Sequence, residues 1–68
     1  MAKNFDIEIG AHITILEQCV FTVEADTYEE AKVQAEARFQ KYVDTKYGWV
    51  DYDSTYIEKL DEYEDGMI

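Results

Sequence analysis

From Phe5 to Ala25 nearly every odd position is apolar: Phe5, Ile7, Ile9, Ala11, Ile13, Ile15, Cys19, Phe21, Val23 and Ala25. The even positions between them include Asp6, Glu8, His12, Thr14, Gln18, Thr22 and Glu24. A period of two gives an extended chain one dry face and one wet face. The run is too long for one ordinary strand, so it predicts an antiparallel hairpin covered on one side only. Its turn falls near Thr14 to Glu17, with no Asn-Gly or Asp-Gly pair to fix it, and Gly10 marks a possible bulge. Pairing odd positions with odd ones keeps the apolar face single.

The period changes at Asp26. Thr27 with Glu30 three residues on has the form of a capping box, in which the hydroxyl accepts from a free backbone N–H and the carboxylate reaches back to another. Asp26, Glu29 and Glu30 put negative charge at the positive end of the helix dipole. Tyr28, Ala31, Ala35, Phe39, Tyr42 and Val43 then recur at helical spacing, and Gly48 after Lys46 and Tyr47 supplies a stop. These signals predict a helix over about 27–46. Its small residues, Ala31 and Ala35, suit a helix lying close on a sheet.

Beyond Gly48, Trp49 to Tyr52 reads as a short extended piece and Asp53-Ser54 as a turn. Residues 54–63 fit either a third strand from Thr55 to Leu60 or a short helix capped by Ser54 that uses Tyr56, Ile57, Leu60 and Tyr63. The strand-forming Tyr, Thr and Ile, and the poor stability of a two-stranded sheet, favour the strand. The expected fold is therefore α+β in the order β-β-α-β, a three-stranded antiparallel sheet with one helix packed on one face. Residues 1–68 read as a single small α+β domain, from about residue 3 to 64, with an acidic C-terminal segment at 51–68.

Charge narrows the function classes. Sixteen Asp and Glu against six Lys and Arg give a net charge of −10, which repels nucleic acid and anionic membranes. Apolar residues make up 47% and aromatics 15% of the chain, too many for a solvated acidic tail. Carboxylates interrupt every apolar run long before it could span a bilayer, and the start of the chain carries no export signal, so the expected location is cytoplasmic. One cysteine closes no intrachain disulfide.

Little here is suited to bond-making chemistry. Cys19, His12 and Ser54 are the only residues of their kinds, and Cys19 and His12 fall at positions of opposite parity, hence on opposite faces. Two Cys or His residues are too few for structural zinc, and the three glycines are isolated rather than gathered in a phosphate loop. Asp51, Asp53, Thr55 and Glu62 occupy positions 1, 3, 5 and 12 of a calcium-loop template, but Tyr56 stands where the sharp turn needs Gly. The chain reads as non-enzymatic and free of cofactors.

The charge is uneven along the chain. Residues 51–68 carry Asp51, Asp53, Glu58, Asp61, Glu62, Glu64 and Asp65 against Lys59 alone, while Trp49, Tyr52, Tyr56 and Tyr63 are interleaved with them. Carboxylates on one side of a strand lie about 6.8 Å apart, a spacing comparable with a phosphate row that rises about 3.4 Å per nucleotide before winding is counted. The candidate partner-binding residues are these seven acids with Trp49, Tyr52 and Tyr56. They would seat a folded, DNA-mimicking surface in a Lys/Arg-rich groove that otherwise holds nucleic acid.

The segment Phe21-Thr-Val-Glu-Ala-Asp-Thr-Tyr-Glu-Glu-Ala31 resembles a strand-to-helix junction common in small bacteriophage proteins. It is similar to that of several anti-CRISPR proteins of comparable length, and to a coliphage inhibitor of bacterial RNA polymerase with the same β-β-α-β order. The resemblance covers residues 5 to 47. It implies a host-directed inhibitor, and for anti-CRISPR proteins it implies binding to a CRISPR-Cas effector complex at its nucleic-acid path. Two other expectations stand beside this one. A polymerase inhibitor would use the helix, with Val33 and Ala37 off its main stripe, or the open sheet face; a homodimeric accessory protein would pair through that face or an edge strand.

Overall fold

The computed structural model describes residues 2–48 and 50–64. Strand β1 (Lys3–His12), strand β2 (Leu16–Ala25), helix α1 (Tyr28–Tyr47) and strand β3 (Ser54–Glu64) follow one another, and the sheet order is β2-β1-β3 with both pairings antiparallel. This is the expected α+β arrangement, and residues 54–64 are strand rather than helix. The first strand of the chain is thus the central one, and the helix carries the chain from one edge to the other.

The β1–β2 register pairs Phe5 with Val23, Ile7 with Phe21 and Ile9 with Cys19, odd against odd without interruption. The loop between them is Ile13 to Ile15, shorter than the sequence suggests, with Ile13 N–H donating to the Ile15 carbonyl at 3.1 Å. Glu17 consequently belongs to β2 and not to the turn. The β1–β3 register shifts twice, between Asp6 and Ile7 and between Gly10 and Ala11, so Leu60 and Thr55 are extra residues on β3. A bulge does lie beside Gly10, on its β3 side.

Thr27 caps α1: its Oγ1 accepts from Glu30 N–H at 3.2 Å, and its hydroxyl is 3.3 Å from Glu30 Oε1, to which it donates. The Glu30 carboxylate therefore meets the capping hydroxyl here, where the sequence pattern led us to expect it at a backbone N–H. Gly48, at φ 78°, ends the helix, and its N–H donates to the Asp44 carbonyl at 3.0 Å. Ala31, Ala35, Phe39 and Val43 form a buried stripe four residues apart. They close on Phe5, Ile7, Ile9, Ala11, Val23 and Ala25 from the sheet. Two alanines with no exposed surface let the helix axis approach the strands, and the larger Phe39 fills the space toward Tyr52, whose ring meets it edge-on at 5.5 Å.

The edges of the sheet are blunted. From α1, Gln34 Nε2 donates to the Glu24 carbonyl at 2.8 Å and Arg38 Nη1 to the Thr22 carbonyl at 3.1 Å, occupying two acceptors on edge strand β2. On the other side, the two bulges interrupt β3. Both devices oppose pairing with a further strand.

One charged group enters the core side. Glu17 is 6% exposed, yet its carboxylate accepts from Tyr42 Oη at 2.8 Å, from Lys46 Nζ at 3.1 Å and from the Tyr47 hydroxyl. Donation by the two phenols and the ammonium holds its carboxyl down at about 2, against an ordinary 4.5. The network ties the end of α1 to the start of β2.

Two outcomes follow for stability. Ile7→Ala, at a site with no exposed surface, should cost about 2–5 kcal/mol and be read as a lower urea midpoint. Glu17 binds its proton more weakly folded than unfolded. Its contribution is therefore complete above the unfolded value and is lost as pH falls through about 2. Thermal melts between pH 5 and pH 2 should show a steeper loss for the natural chain than for Glu17→Gln; equal slopes would discount the network.

Candidate partner-binding surface

The helix covers the odd face of β1, which leaves the even face open. Register places Asn4, Asp6, Glu8, Gly10 and His12 of β1 there, flanked by Glu24, Thr22, Val20, Gln18 and Leu16 of β2 and by Tyr63, Asp61, Glu58 and Tyr56 of β3. Asp6 stands directly opposite Asp61, and Glu8 directly opposite Glu58. Cα atoms so paired lie about 4.5–5.5 Å apart, and like charges directly opposite one another oppose pairing of the strands. Asp6 is also held by β2, where Thr22 Oγ1 donates to its Oδ1 at 2.7 Å.

The lysines and the arginine come from the helix or from helix-side strand positions, and Arg38 reaches only the β2 edge. Lys32, Arg38, Lys41 and Lys46 are on α1, and Lys3 and Lys59 occupy helix-side register positions opposite Glu64 and Ile7. Lys3 and Lys59 converge on Glu62, at 3.0 and 2.9 Å, and Lys59 Nζ lies 5.6 Å from the Tyr28 ring centre. Glu62 is accordingly held below the usual carboxylate range, first by Lys59 and then by Lys3. The open face thus carries Asp6, Glu8, Glu24, Glu58 and Asp61 with no lysine or arginine among them.

The candidate residues fall into separate groups on this frame. Glu58, Asp61 and Tyr56 are together on the open face. Glu62 and Glu64 are on the helix side, the first in ion pairs with two lysines. Asp51 and Asp53 are exposed in the connection between α1 and β3, and Tyr52 between them is turned to Phe39 at the edge of the core. Trp49 and Asp65 lie outside the described residues. Asp6, Glu8 and Glu24 are the acids of this surface that the C-terminal cluster did not anticipate. Their signal was present as the wet half of the first alternation; what was lacking was the pairing of β3 with β1.

Other chemistry is not assembled. His12 is on the open face and Cys19 on the helix face, where burial first and Glu17 second push the thiol up from its ordinary value. Thr55 and Glu62 of the calcium-loop pattern both belong to β3, and the register puts five β1 residues, about 17 Å, between Tyr56 and Glu62 alone. Among the described residues no group of three His, Cys, Asp or Glu side chains is placed to hold a metal ion, and no helix is long and apolar enough to cross a membrane. Val33 is 68% exposed on the outer side of α1, with Ala37 exposed one turn on.

The in-register carboxylates make a specific expectation. Glu58→Gln removes one of two opposed charges and should raise stability by about 0.2–1 kcal/mol, measured by urea unfolding at low salt, with the gain shrinking as salt is added. A loss of stability would mean that Glu58 is held by contacts other than repulsion.

Comparison of the chain with protein families, with curated proteins and with solved structures finds no match.

Proposed function

We propose that the chain is a non-enzymatic inhibitor that lays its acidic sheet face into a cationic, nucleic-acid-binding groove of a host protein. The anti-CRISPR-like reading makes that host protein a CRISPR-Cas effector complex in the bacterial cytoplasm. One observation carries it. The face that the helix leaves open holds Asp6 against Asp61 and Glu8 against Glu58, while the lysines come from α1 or from helix-side strand positions and Arg38 stops at the β2 edge. A small fold gains nothing from opposed carboxylates, whereas a receptor rich in Lys and Arg offsets their repulsion and is drawn to the face before contact.

Asp6 and Glu8 lie about 6.8 Å apart along β1, and each stands opposite an acid of β3 with Cα atoms about 4.5–5.5 Å apart, so the centre of the face is a two-by-two cluster of negative charge. A groove shaped for phosphates meets that charge at comparable spacing, with no sugar or base to follow. Inhibition is then occlusion: guide or target strand and inhibitor compete for the same basic side chains. Self-association through this face would bring the carboxylates of two copies together, and the occupied carbonyls of β2 and the bulges of β3 oppose lateral pairing. A cationic partner is favoured over a second copy.

The reading is tested in bacteria carrying active CRISPR-Cas systems of defined type and expressing the chain. Phage plaquing should be restored in at least one of them and lost again with the combined Glu8→Gln, Glu58→Gln and Asp61→Asn variant. With the purified effector, that variant should bind more weakly and with a shallower dependence on salt. Failure to inhibit any type, or inhibition indifferent to the three substitutions, would reject it.

A further inference from the structure

On the open face, Tyr56 reaches from β3 across the central strand, its ring lying against Gly10. A Cβ at residue 10 would sit 2.7 Å from the ring Cζ, so the phenol rests on bare backbone. Its hydroxyl accepts from Gln18 Nε2 on β2 at 2.8 Å, and the ring thereby spans all three strands. One register step away along the strands stand Glu8, Glu58 and Val20, the last 55% exposed.

The other tyrosines near cations have theirs from within the chain. Lys32 and Lys59 lie over Tyr28, and Lys46 lies near both Tyr42 and Tyr47, at 5.2–5.7 Å from the ring centres. Tyr56 is on the face from which every lysine and arginine of the chain is absent. It combines a flat ring held from beneath, two carboxylates beside it and an aliphatic neighbour.

The geometry points to an arginine-receiving platform: a partner guanidinium stacks on the outer side of the Tyr56 ring and donates to Glu8 and Glu58 while its methylene stem lies along Val20. This rests on the reading of the open face as the seat of a cationic partner, and it specifies that partner as arginine-bearing at this point. A guanidinium is planar, weakly hydrated and able to stack and donate at once. An ammonium is a compact, strongly hydrated point charge, and it gains only the attraction of the carboxylates.

The test uses the full chain with two peptides of equal length and charge, octa-arginine and octa-lysine, titrated at one ionic strength and followed by calorimetry and by amide shifts of Gly10 and Gln18. Octa-arginine should bind about tenfold more tightly. Tyr56→Leu should bring octa-arginine down to the octa-lysine level and leave octa-lysine unchanged, while Tyr56→Phe, which loses the Gln18 contact but keeps the ring, should retain the preference. Should Tyr56→Leu not fold, the arginine-to-lysine ratio of the natural chain and of Tyr56→Phe decides. Equal binding of the two peptides, or a preference that survives Tyr56→Leu, overturns the platform and leaves the acidic-face reading standing, provided Glu8→Gln with Glu58→Gln weakens both peptides. Binding of neither peptide overturns both.

Discussion

A single helix can dry only one side of a three-stranded sheet, and the alternation of β1 decides which. Phe5, Ile7, Ile9 and Ala11 meet Ala31, Ala35, Phe39 and Val43, and that contact commits Asp6, Glu8, Gly10 and His12 to the opposite side. Because β1 is central, its parity is imposed on both neighbours through the registers. The core and the charged face are therefore two outcomes of one pattern. A one-residue slip of β1 would exchange them, placing carboxylates under the helix and isoleucines in water.

The distribution of charge follows from the same geometry. Acids on the helix side find donors: Glu17 has two phenols and Lys46, and Glu62 has Lys3 and Lys59. The open face has the Thr22 hydroxyl at Asp6 and the Glu62 N–H at Asp61, and no lysine or arginine. All six basic residues of the chain lie on α1 or at helix-side positions of the strands. What is left is a surface on which carboxylates stand opposed across the β1–β3 pairing, at a cost to the fold beneath it.

The hairpin, the capped helix and the stripe from Ala31 to Val43 were legible because each rests on local periodicity and end signals. The third strand was legible by composition, against a competing helical pattern over Tyr56, Ile57, Leu60 and Tyr63. The candidate partner face was only half legible. Glu58 and Asp61 stood out because the end of the chain is acidic, whereas Asp6 and Glu8 looked like ordinary wet positions of an amphipathic strand. Their meaning depends on which strand pairs with which, a long-range relation that no window along the sequence contains. The same relation removes Glu62 from the group, since the bulge at Leu60 sets the face on which each β3 side chain falls. The turn read near Thr14 to Glu17 takes in a carboxylate whose phenol and ammonium partners come from α1, distant in sequence.

On the proposed reading, the occupied carbonyls of β2 and the bulges of β3 have a bearing on how a receptor would escape this protein. With lateral strand addition discouraged, a receptor has to be read from above the sheet, through side chains rather than through shared main-chain ladders. Main-chain recognition tolerates sequence drift in the receptor; side-chain recognition does not. On that reading, exchange of one or two basic residues of the proposed groove would suffice for escape, at whatever cost those changes bring to the receptor's own grip on nucleic acid.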